Sequence, residues 1–292
     1  MGVTERRATV VAAVTLALAS LAASGSAGGD ETPAPRRAAA KRWAVAYSRD
    51  LTPEALRRFD LVVVDPDVAR TPGELRPPGG RLLAYLSVGE VNETRTYFDH
   101  VRSQRWLIRE NAAWRGSFLV DVRAPGWQRL LVDRIARGIL DRGFDGFFLD
   151  TLDTAEVLQR ENADAYLGSI EAMAALVRAL RTAYPRAVLL SNNAFEVIDH
   201  VAPLLDGVVA ESLFTTYDAS TRLYHPVSPF RRSEKVAALR ELRRRHGTPI
   251  FTLDYAGLHD AALRASAYDA SRALGFIPYV GAVDLQDVQP SP

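Results

Sequence analysis

The sequence predicts an α/β fold, a single (β/α)8 TIM barrel, on three observations. Short apolar runs recur along the chain, stretches of helical period separate them, and acidic residues stand where the runs end. Continuous rather than alternating hydrophobicity is what a parallel strand covered on both faces requires. Repeated strand–helix units then build a parallel sheet.

Taken in order, residues 1–27 read as a signal peptide. Arg6 and Arg7 supply its positive end, the stretch 8–23 is uncharged and apolar, and Gly25, Ser26 and Ala27 offer small residues for cleavage. A retained membrane anchor is the alternative, but the stretch is shorter and richer in Ala and Thr than the roughly 20 strongly apolar residues of a spanning helix. The expectation is a secreted, extracellular protein with no stable membrane association after cleavage. Residues 28–41, GGDETPAPRRAAAK, are small, Pro-containing and aperiodic, as a linker is. The folded domain is expected over 42–292.

Within it the runs are 43–48, 61–65, 82–88, 117–122, 146–150, 187–192, 207–213, 250–254 and 276–283. One more run than a barrel needs makes 117–122 the extra strand. Pro125 opens a helix whose apolar stripe is Trp127, Leu131, Ile135 and Ile139, closed by Gly143. Further helices are predicted over about 162–184, with Leu167, Ile170, Val177 and Leu180 on one face, over 233–246, and over 260–274. An open doubly wound sheet is the competing architecture. It would place a Gly-rich phosphate turn after its first strand, and SRDLTPE contains no glycine.

Composition narrows the function. The chain has 36 Lys and Arg against 35 Asp and Glu, a net charge of +1, which falls to zero once Glu5, Arg6 and Arg7 leave with the signal. There is no strong overall field to draw in nucleic acid. The basic stretch 231–247 follows a helical pattern and reads as a solvated outer face. With no cysteine, disulfides, thiol catalysis, iron–sulfur clusters, thiolate zinc and a lipoprotein anchor are all excluded. The five histidines show no metal-binding spacing, so no metal and no cofactor is expected.

The chemistry lies in the acids. Asp65, Asp67, Glu90, Asp121, Asp150, Asp153, Glu211, Asp254 and Asp284 stand at or just beyond the ends of runs. A parallel barrel turns every strand end to one face, where the active sites of this fold sit. Each acid alone could cap the next helix, as Asp65, Asp67 and Asp121 equally suit. A ring of like charges, however, costs stability through repulsion and raised pKa values, which points to a site that uses carboxyl groups. Asp150, after GFFL, and Glu211, after GVVA, are the expected catalytic pair: a carboxylate nucleophile or base, and a longer acid with a raised pKa. Asn192 and Asn193 either bond sugar hydroxyls or serve a turn, and Tyr47, Tyr85, Tyr255 and Tyr279 either stack on sugars or fill core.

YLSVGEVN (85–92), GFDGFFLDTLD (143–153), SNNAFE (191–196), ESLF (211–214) and LDY (253–255), in that order, resemble the barrel domain of glycoside hydrolase family 114, the endo-α-1,4-polygalactosaminidase group. The resemblance spans about residues 43–285. It implies a (β/α)8 hydrolase of α-1,4-linked galactosamine polymers, with catalytic carboxylates at Asp150 and Glu211. The substrate-binding residues expected beside them are Tyr47, Asp65, Glu90, Asp153, Asn192, Asn193, Asp254 and Tyr255.

The expected function is therefore that of a secreted glycoside hydrolase, a monomer whose partner is a cationic amino-sugar polysaccharide. A non-catalytic glycan-binding barrel is the alternative, although a binding module has no need of a paired acid and base. A phosphate-handling isomerase or aldolase is disfavoured, since no late Gly-rich phosphate loop and no strand lysine suited to a Schiff base is present.

Overall fold

The Val-, Leu- and Phe-rich runs become eight parallel strands in the computed structural model, which describes residues 40–289. They are β1 (Trp43–Ala46), β2 (Leu61–Val64), β3 (Arg81–Ser87), β4 (Gly146–Asp150), β5 (Val188–Asn192), β6 (Gly207–Glu211), β7 (Ile250–Tyr255) and β8 (Ile277–Gly281). The strands are hydrogen-bonded in chain order, all parallel. At the seam the Trp43 side chain of β1 donates from Nε1 to Ile277 O of β8 at 3.0 Å, and just beyond the two strands Tyr47 N donates to Leu285 O at 2.8 Å. The sheet thus closes nearly completely into a TIM barrel ringed by helices. The expected signal peptide and most of the expected linker lie outside the described residues.

Burial follows from double coverage. Every residue of β1, β2 and β7 is buried. Large rings fill the barrel, with Trp43 edge-on to Phe251 at 5.3 Å and to Tyr279 at 6.1 Å. At the N-terminal ends of the strands Arg181 and Asp206 form a wholly buried ion pair at 2.6 Å. Arg181 also donates to the carbonyls of Leu204 and Ala187, while Asp206 accepts from Leu189 N, so the pair stitches the start of β5 to that of β6.

The run at 117–122 is indeed outside the barrel. Ser117–Val120 is the central strand of a small antiparallel sheet with Glu90–Asn92 and Leu107–Glu110, inserted after β3. A second insertion, the hairpin Thr215–Asp218 with Leu223–Pro226, follows β6. The helix opened by Pro125 runs through a wider π-type turn at Leu131–Ala136 to Asp141. The helix expected over 162–184 is instead Ser169–Ala183, because Gly168 stands in the left-handed region at φ 83° and breaks the chain there. Leu167, expected on its buried face, is an exposed loop residue. A separate helix, Thr154–Glu161, precedes it. The basic helix starts earlier, at Pro229, with Ser228 capping Arg231 N, and buries only Leu239 and Leu242. Among the described residues no helix is long and apolar enough to cross a membrane.

Candidate active site

Three consecutive barrel strands deliver the site. β4 ends on Asp150, β5 on Asn192 and β6 on Glu211. In each case the next residue has a left-handed backbone: Thr151 at φ 62°, Asn193 at 46° and Ser212 at 53°. None is glycine, so each turn costs of order 1–3 kcal/mol and persists because its surroundings hold it. At Thr151 the hold is visible. Its hydroxyl bonds Ser87 Oγ at 2.9 Å and accepts from Gly89 N at 2.9 Å. Gly89 is glycine because a Cβ there would lie 2.3 Å from Thr151 O.

Asn192 joins the two acids. Its Nδ2 donates to Asp150 Oδ1 at 2.9 Å and to Glu211 Oε2 at 2.7 Å, so those two oxygens are at most about 5.6 Å apart. The second oxygen of each acid takes a phenol: Tyr85 OH donates to Asp150 Oδ2 at 2.8 Å, and Tyr255 OH to Glu211 Oε1 at 2.5 Å. Asn193 Oδ1 accepts from Glu211 N at 3.1 Å and so fixes the start of the turn. Tyr47 packs edge-on against Tyr85 at 5.3 Å. Burial raises the Glu211 pKa, with the Asp150 charge adding to it, and outweighs the Asn192 and Tyr255 bonds that lower it. Tyr47, Tyr85 and Tyr255 are held well above the usual phenol range by burial first and the site carboxylates second, so all three stay neutral.

A cleft of about 1220 Å³ opens over these strand ends. It is lined by Tyr47, Asp65, Glu90, Asp150, Asp153, Asn192, Asn193, Glu211 and Tyr255, which brings together all but one of the site residues expected from sequence. The exception is Asp254. It is 0% exposed, and its Oδ1 accepts from Phe214 N at 2.6 Å and Thr215 N at 2.9 Å, holding the loop after β6. Burial lifts its pKa to about 6. A strand-end position put it on the rim, but the side chain turns into the backbone. Asp121, too, leaves the set, paired with Arg123 at 2.8 Å beyond the accessory strand.

The remaining acids differ in their partners. Asp65 and Asp67 share Arg95, each at 2.7 Å, so one of their two charges is offset. Glu90 is 7% exposed and both its oxygens take neutral donors, Asn111 Nδ2 and Ser117 Oγ, each at 2.8 Å. Asp153 is different: burial and then Asp150, with Glu156 and Glu90 in the same sense, push it up to about 6. Arg95 was invisible to sequence reasoning, since an arginine in a polar loop carries no pattern tying it to Asp65. Tyr85 and Tyr255 are signalled by their places in or beside strand ends and in the YLSVGEVN and LDY segments, but their bonds to Asp150 and Glu211 are not. Among the described residues no group of three or more His, Asp or Glu could hold a metal.

Known proteins resemble this chain in sequence and in fold. The model of glycoside-hydrolase family GH114 matches residues 24–292. An uncharacterized protein of Deinococcus radiodurans is 33% identical over 236 residues, 76% of this chain and 73% of that protein. The glycoside hydrolase domain of PelA from Pseudomonas aeruginosa is 27% identical, with a TM-score of 0.74 covering 86% of this chain and all of that domain. Aspergillus fumigatus Ega3, solved in complex with galactosamine, shares the fold at 17% identity and a TM-score of 0.64, covering 87% of this chain and 96% of that one.

Proposed function

The chain belongs to glycoside-hydrolase family GH114, and from that premise we propose that it is a secreted, retaining hydrolase of α-1,4-linked galactosamine polymers. The observation that carries the reading is the Asn192 bridge. A bridge that keeps Asp150 Oδ1 within about 5.6 Å of Glu211 Oε2 suits a double displacement, whose carboxyl groups stand about 5–5.5 Å apart, better than an inverting reaction, whose carboxyl groups stand about 6.5–9.5 Å apart to seat a water.

Asp150, fixed by Tyr85 and Asn192, attacks the anomeric carbon. The bond to the leaving sugar breaks as Glu211, whose raised pKa keeps a proton available, protonates the departing oxygen. Glu211 then takes a proton from water, the hydroxide adds to the same carbon, and Asp150 is released. Asn192 and the two phenols orient the acids throughout. Asp153 supports the amino-sugar reading, because the charges acting on it are all negative and an ammonium group would relieve them. Secretion rests on the signal-like sequence of residues 1–27.

The test is incubation of the purified protein with an α-1,4-galactosamine polymer, with mass spectrometry of the products and NMR of the first anomer released. New reducing ends of α configuration are expected. Asp150→Asn and Glu211→Gln should each fold normally and lower turnover by about 10²–10⁴-fold or more. A β anomer as first product would rule out the retaining mechanism, and near wild-type turnover in either variant would rule out that residue's role.

A further inference from the structure

We propose that Trp114 is a sugar-stacking platform, an outer subsite of the cleft that holds a ring of the polysaccharide next to the one being cleaved; this rests on the amino-sugar reading above. Of the four tryptophans, Trp43 and Trp127 are wholly buried and Trp106 packs on His100, whereas Trp114 is 64% exposed. A single exposed apolar side chain is ordinary in itself. Two things set this one apart.

The first is place. Trp114 lines the same cleft as Asp150 and Glu211, on the loop between the accessory strands Leu107–Glu110 and Ser117–Val120. That loop follows β3, which pairs with the strand ending on Asp150, so a ring seated on it shares the cleft with the ring at Asp150 while lying off the strands that carry the bridged pair. The second is rigidity. Asn111 accepts Ala113 N on its side chain at 2.9 Å and Trp114 N on its carbonyl at 3.1 Å, and Ser117 N returns to Trp114 O at 3.0 Å. The loop is tied down by Glu90, which receives Asn111 and Ser117 from either end of it, and by Glu110, which accepts Gly116 N at 2.7 Å. Glu90 is thus a positioning residue for the platform. With the backbone ordered before the ligand arrives, only the two side-chain torsions of the indole remain to be fixed on binding, so little freedom is lost.

The occupant's chemistry follows from the face. An indole offers the C–H side of a sugar ring a flat apolar surface, and a protonated amine on that ring adds a cation–π attraction. Such a subsite contributes only when the substrate is long enough to reach it.

The experiment compares wild type, Trp114→Ala and Trp114→Phe on an aryl glycoside of a galactosamine dimer and on long α-1,4-galactosamine oligomers. For Trp114→Ala, kcat/KM on the long oligomers should fall about tenfold, carried by KM and partly restored by Trp114→Phe, with the dimer unaffected. In the Asp150→Asn background, which keeps the oligomer intact, binding should change the indole fluorescence, and adding Trp114→Ala should remove the change. An equal loss on both substrates, or no loss on the long one, overturns the platform while the hydrolase reading stands. If wild type cleaves neither substrate and Asp150→Asn binds neither, the substrate reading fails and the platform fails with it.

Discussion

Asn192 does more than a strand-end amide usually does. With both its amide hydrogens given to carboxylates, it holds Asp150 and Glu211 together against their repulsion. Tyr255 works in the same sense on Glu211 alone. Both bonds favour the ionised acid and lower the Glu211 pKa, while burial and Asp150 raise it. Removing the phenol therefore raises it further. Because Glu211 must carry its proton to act as an acid, activity is present below that pKa and lost above it. Tyr255→Phe should accordingly move the alkaline limb of the kcat/KM profile to higher pH while lowering the maximum by about tenfold or more. Asn192→Ala should move the limb the same way. A pH profile with an unshifted limb in both variants would show that these bonds do not set the acid's proton affinity.

The division of labour along the barrel shows at the level of elements. C-terminal strand ends carry strained turns and a crowded set of acids, whereas the N-terminal ends carry a structural pair with no access to the cleft. Arg181 reaches from helix Ser169–Ala183 to Asp206 and three carbonyls, and loss of it leaves a buried charge uncompensated. Arg181→Met should cost about 3–5 kcal/mol in chemical denaturation. The kcat of the folded fraction should be unchanged, because the pair lies at the opposite end of the strands. A fall in kcat without a fall in stability would contradict that separation. Asp254 belongs to the structural set as well, capping the loop after β6, although its position in the sequence is that of a rim acid.

For the molecule as a whole, charge is distributed rather than large. The chain is near neutral, yet seven carboxylates and four arginines line the cleft, so the pocket stays negative even with Arg95 offsetting one of the two charges of Asp65 and Asp67. Asp153, charged only above about pH 6, is the acid best placed to add to this. KM for a deacetylated amino-sugar polymer should fall as pH rises through about 6, and Asp153→Asn should abolish that inflection. At neutral pH the deacetylated polymer should be preferred over the N-acetylated one by about fivefold for each amine engaged. Added salt should erode the preference, since charges separated by more than about 8 Å are screened at physiological ionic strength. Kinetics on the two polymers across a salt series would decide it, with a salt-independent preference counting against the charge argument.

Much of this was legible in the residues. Continuous apolar runs with helices between them determine a parallel sheet covered on both faces, because only doubly covered strands remove so many branched and aromatic side chains from water, and the glycine-free turn after the first run favours the closed barrel over an open sheet. The same runs place Asp150, Asn192 and Glu211 at one end, since strand polarity is shared. What the sequence could not determine is where side chains point once the strands end. Gly168 breaks a predicted helix through its backbone, and Asp254 turns into the structure rather than out of it. Thr151, Asn193 and Ser212 adopt left-handed turns that carry no glycine to announce them. Arg95 and Asp65 are thirty residues apart, and the Tyr255–Glu211 bond spans forty-four. Such pairings come from loops and strands brought together by closure of the barrel, so local pattern, which reports burial and period, is silent about them.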